Sequence, residues 1–94
     1  MANQSGSQPL SQEHAEQRIS KIPLSKLLAG QSSVVNLLKG DREFINRIAS
    51  LGFTIGAQVM VINNQGQGPM VVSVLGAHFA LGRREAELIQ VQPL

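Results

Sequence analysis

The chain has 94 residues, enough for one small domain with a modest core. It contains no cysteine, which excludes disulfide staples, thiolate nucleophiles and sulfur-held clusters. Eight Lys plus Arg against six Asp plus Glu leave a net charge of +2, too small a surplus for a nucleic-acid footprint; three Phe and no Tyr or Trp offer little for bases to stack on.

In chain order, residues 1–22 are dominated by Gln, Ser, Asn, Gly and Glu. So little apolar surface does not offset the entropy of ordering, and this segment is expected to be a disordered tail, with His14 a solvated side chain in it. It lacks the charged-then-apolar order of a signal peptide, and no run approaches the ~18–20 apolar residues of a membrane span, so a cytoplasmic protein is expected.

The domain is expected to run over residues 23–94. Pro23 to Gln31 (PLSKLLAGQ) reads as a lead-in anchored by Leu24, Leu27 and Leu28, and Ser33 to Leu38 as a first strand. Asp41 to Leu51 reads as a helix. At 100° per residue Phe44, Ile45, Ile48, Ala49 and Leu51 share an arc about 160° wide, with Arg42, Glu43, Asn46, Arg47 and Ser50 opposite. Gly40 or Asp41 can cap its start, and Gly52 stands where a left-handed stop belongs, with Phe53 placed to touch Ile48. Such a helix is a lid, and Leu51→Asp, which charges its apolar stripe, is expected to destabilise severely.

After the Gly56 turn, Ala57 to Asn63 reads as a strand whose Val59 and Val61 point one way and Met60 and Ile62 the other. Asn64 to Pro69 is a reversal, Met70 to Leu75 a strand, His78 to Leu81 another, Arg83 to Glu87 a helical turn, and Leu88 to Val91 a closing strand. The sum is a mainly β chain: a small, partly closed barrel of about five strands under one helix.

Chemistry is scarce in these residues. The GQG at 66–68 lacks the Gly-Lys-Ser/Thr ending and the following helix of a phosphate loop. His78 is the one histidine in the domain and is a weak metal candidate without a second ligand near it. Ser50 and Ser73 have no base in local reach, and Glu85 and Glu87 point apart. No catalytic residue and no cofactor-binding residue is identified, and the chain is not read as an enzyme. What remains is surface: Arg42, Arg47, Arg83 and Arg84 as charges able to meet an acidic partner, and Met60 and Ile62 as partner-binding candidates if the second face of their strand meets a partner rather than lying beneath the helix.

From Pro23 on, "PLSKLLAGQSSVV", "RIASLGFTIGAQVMVI" and "GPMVVSVLGAHFALGRREAELIQV" resemble the FeoA family, ferrous iron transport protein A. The ordered set Ser50-Leu51-Gly52, Gly56, Gly68-Pro69, Gly76, Ala80-Leu81 and Ala86 to Val91 carries the resemblance. It implies an SH3-like small barrel and a cytosolic accessory role in bacterial ferrous iron uptake, peripheral to the inner membrane through contact with a permease that bears a GTPase domain. Association with a transition metal, iron, is implied by the family alone. Gly82 stands where relatives often carry Arg, so a contact made by that side chain is not carried over. The same fold forms the C-terminal domain of iron- and manganese-dependent repressors, which gives the alternative reading of a metal-binding regulatory module.

Overall fold

A computed structural model describes residues 21–94; the expected tail, with His14, lies outside the described residues apart from Lys21 and Ile22. Strands β1 (Ile22–Pro23), β2 (Ser32–Leu38), β3 (Gln58–Asn63), β4 (Met70–Val74), β5 (Ala77–Leu81) and β6 (Ile89–Pro93) form one antiparallel sheet in the order β1-β6-β2-β3-β4-β5. A 3₁₀ turn at Leu24–Lys26 follows β1, helix α1 (Arg42–Ser50) joins β2 to β3, and α2 (Arg83–Glu87) joins β5 to β6. The count is six strands where sequence patterning expected about five. The extra one is β1, only two residues long, and Ile22 pairs with Val91 rather than belonging to a tail. Two residues are too few to display a period, so no local pattern announces this strand.

The ladder is open, with β1 and β5 as its edges. Even so, inward side chains of β2 to β6 meet those of both helices and the 3₁₀ turn in one core, which a sheet reaches only by curling around it. β3 shows the logic most plainly. Val59 and Val61 are fully buried, while Met60 and Ile62 keep 39% and 38% of their surface, as alternation requires. Register shifts leave Asn36 in β2 and Ile62 in β3 without an opposite residue. Each is a bulge that bends its strand.

Helix α1 starts and stops on local chemistry. Asp41 Oδ1 accepts the Phe44 N–H at 2.8 Å, satisfying a donor that the first turn leaves free. At the other end Gly52 N–H donates to Ala49 O and Phe53 N–H to Ile48 O, the paired bonds of a Schellman stop. Gly52 sits at φ +113°, a left-handed conformation that disfavours any residue with a Cβ. Phe44 and Ile48 are the buried residues of the helix, and Ile45 and Ala49 are half-buried.

Leu51 departs from expectation. It keeps 37% of its surface exposed, whereas Phe53 is fully buried. The stop motif reverses the chain at Gly52, so the side chain just past the turn takes the interior position that helical periodicity assigned to Leu51. Phe53 then packs against Phe79 of β5, ring centroids 5.8 Å apart and tilted by 59°. The severe effect expected of Leu51→Asp therefore belongs to Phe53 instead.

The β4–β5 hairpin turns on two residues, Leu75 and Gly76, between the paired Val74 and Ala77. Both have positive φ, 52° and 80°, as the two-residue turn that matches strand twist demands. Leucine is an unusual choice there, and it is 82% exposed.

Candidate interaction surface and cleft

The sheet positions the first group of candidate residues. Ser32 of β2 pairs with Met60 of β3, Met60 with Ser73 of β4, and Ser73 with His78 of β5. Directly paired residues share a face, so these four form a row across the outer side of the sheet. At about 4.8 Å per strand, Met60 and His78 stand roughly 10 Å apart with Ser73 between them. Ile62, Val71 and Ala80 extend the same face beyond the row. The result is a face whose large exposed apolar side chains are Met60 and Ile62, bordered by Ser32, Ser73, Asn63 and exposed His78. No group of three or more His, Asp or Glu able to hold a metal occurs among the described residues.

The arginines do not gather into one patch. Arg42 is exposed on α1. Arg47, one turn on, pairs with Glu85 of α2 at 2.9 Å, and its guanidinium lies 5.5 Å from the centre of the Phe44 ring. This contact ties the two helices, but the Arg47 side chain is exposed and that of Glu85 only half-buried, and such pairs contribute at most about 1 kcal/mol. Glu85 Oε1 also accepts the Gly82 N–H at 3.0 Å. Glycine has no side chain, so only this backbone half of a capping box exists. The Gly82 N–H, and after it Arg47, hold the Glu85 carboxyl below its ordinary pKa, against the opposing effect of partial burial.

Arg83 behaves differently from its exposed neighbour Arg84. It is half-buried and turns into a cleft of about 330 Å³ between the 3₁₀ turn, the β3–β4 loop and α2, lined by Ser25, Lys26, Leu28, Asn64, Gly66 and Glu87 beside Arg83 itself. One terminal nitrogen donates to Ser25 O at 3.2 Å and the other to Asn64 Oδ1 at 2.8 Å, while its buried Nε has no partner. Asn64 organises the surroundings. Its Nδ2 donates to Ser25 O at 3.0 Å and Leu27 O at 2.6 Å, and its Oδ1 accepts the Gly66 N–H at 3.0 Å. Sequence reasoning marked Arg83 as a surface charge and passed over Asn64. The available signal was an Asn opening a Gly-rich reversal, where its amide can bond the backbone two residues on.

Comparison with known proteins adds the family. The FeoA domain profile matches residues 22–93. A protein of Methanocaldococcus jannaschii whose name assigns it to Fe(2+) transport is 33% identical over 70 residues, covering 74% of this chain and 84% of its own. The crystal structure of an iron uptake regulatory protein, FeoA, superposes with a TM-score of 0.75 at 31% identity, over 80% of this chain and all of its own. Stenotrophomonas maltophilia FeoA, solved with zinc and described as a prokaryotic SH3 domain protein, gives 0.63 at 29% identity over 78% of this chain and 89% of its own. A manganese-dependent transcriptional repressor, at 22% identity and a TM-score of 0.72 over 79% of this chain and 42% of its own, shares the fold. With its profile matched across the sheet and both helices, this chain belongs to the FeoA family.

Proposed function

We propose that the protein is an accessory of ferrous iron uptake that works by contact, docking the outer face of its sheet on the cytosolic GTPase domain of an iron permease. Family membership and the iron-transport names of its relatives support the role. The observation that carries the contact is the exposure of Met60 and Ile62 beside the fully buried Val59 and Val61. An outward apolar pair on a rigid strand is the material of an interface centre, where a few side chains supply most of the affinity. Arg42 and Arg84 stand elsewhere on the exterior as charges that steer an acidic partner. On this reading the protein works in the cytoplasm, held at the membrane by its partner.

Calorimetric titration against the permease's cytosolic domain tests the proposal. Met60→Asp and Ile62→Asp should each weaken binding by at least about tenfold. Unchanged affinity in both variants would remove this face from the interface.

A second reading, a metal-binding regulatory module, is favoured by the zinc-bound relative and the repressor-like fold. It makes His78 the natural ligand. Titration with ferrous or zinc ions, followed by NMR, should then shift His78 saturably, with the response lost in His78→Gln; weak shifts spread over all carboxylates would end it.

A further inference from the structure

The cleft around Arg83 is a charged site that the proposed sheet-face contact does not use. A guanidinium has five N–H donors. In Arg83 two are bonded, both to neutral oxygens, and no carboxylate lies within ion-pair distance among the described residues. Its side chain is half-buried, so part of its hydration is gone without a counter-charge to replace it. Glu87, one helical turn along α2, lines the cleft but does not pair with it. Acid following base at this spacing is the weaker order on a helix. Lys26 lines the cleft as well, so two cations and one anion leave it one positive charge in excess.

We propose that this cleft binds a carboxylate, with Arg83 as its principal donor and Lys26 as the supporting charge. A hydrogen bond between ions is roughly twice as strong as one between neutral groups, and each terminal nitrogen of Arg83 keeps one N–H beyond the bond it already makes. Asn64 fixes Arg83 from one side and Ser25 from the other, so little side-chain freedom is left to lose on binding. The single surplus charge is neutralised by a monoanion, whereas a phosphate dianion would overshoot it and be repelled more strongly by Glu87. Leu28, 66% exposed on the lining, offers apolar surface to a short aliphatic stem. The ligand is thus a carboxylate on a few methylene groups. Two sources fit that chemistry: a free short-chain acid, or a glutamate side chain presented by a peptide.

The test is NMR titration of the full chain with sodium propionate, with a blocked Ala-Glu-Ala peptide, and with inorganic phosphate. Carboxylates should shift the Gly66 amide and the Arg83 Nε–H saturably. Tighter binding of the peptide assigns the source to a protein chain; equal or tighter binding of propionate assigns it to a free acid. Glu87→Gln should tighten carboxylate binding and Lys26→Gln weaken it, each by about two- to fivefold. Arg83→Gln should abolish it; should that variant fold poorly, the other two, which leave the Asn64 bonds in place, still decide. Absence of saturation at Gly66 and Arg83, preference for phosphate, or indifference to both Glu87→Gln and Lys26→Gln would overturn the proposal.

Discussion

The two helix-associated regions are built on opposite principles. Where α1 stops, the structure is held by shape: Phe53 is buried against Phe79, and Leu75 lies over Gly52 so closely that a Cβ there would come within 2.9 Å of its Cδ1. Where α2 meets the 3₁₀ turn, the structure is held by direction: Asn64 and Arg83 make five hydrogen bonds to groups of the turn, the loop and each other. Packing fills the first region and leaves nothing for a ligand to complete. Hydrogen bonding satisfies the backbone of the second but leaves a cation without its counter-charge. Stability therefore concentrates at the first, and binding capacity at the second.

The largest expected effect breaks the first region. Phe53→Ala removes a fully buried ring and its partner contact, and should cost about 3–5 kcal/mol in a urea melt. Asn64→Ala breaks the second by stripping the partner from Leu27 O, the Gly66 N–H and one terminal nitrogen of Arg83, while Ser25 O keeps only its Arg83 bond, at about 2–3 kcal/mol. A loss below 1 kcal/mol would mean that water replaces the amide and that the network is not structural. Leu75→Asn should raise stability by roughly 1 kcal/mol, because Asn accepts positive φ in a two-residue turn more readily than Leu. A lowered melting temperature would show instead that the Leu75 side chain stabilises Gly52 by covering it.

Leu51→Asp should change stability by only about 0.5 kcal/mol, since that residue is partly solvated. A severe loss would place it in the core after all and reverse the comparison with Phe53. An effect of similar small size is the pH response of Glu85. Its folded pKa is lowered, so it contributes stability that is present above the unfolded value near 4.3 and is lost as pH falls through the folded value. Glu85→Gln should therefore lie below the parent at neutral pH by roughly 0.5 kcal/mol, discounted for exposure, and converge with it in acid. Parallel pH–stability curves would show that the contact with Arg47 and Gly82 is not felt.

Short-range signals were legible because they act within a turn or two of chain. The Asp41 cap, the Gly52 stop and the alternation of Val59, Met60, Val61 and Ile62 are each settled by neighbours a few residues away, and each stands where the sequence put it. From these came the mainly β class, the covering helix and the division of β3 into two faces; which face points outward was decided by the packing. The rest depended on partners distant along the chain. β1 is a strand only because β6 lies beside it, with Ile22 opposite Val91. The Gly52 stop turns Phe53 inward, but Phe53 rather than Leu51 became the core residue only because Phe79 of β5 lies there to receive its ring. Arg83 finds Ser25 58 residues away and Asn64 19 residues away, so its role in a cleft is written in no local window. Periodicity and caps fix which face a segment buries; which oxygen a long side chain reaches is fixed by how the segments are laid against one another.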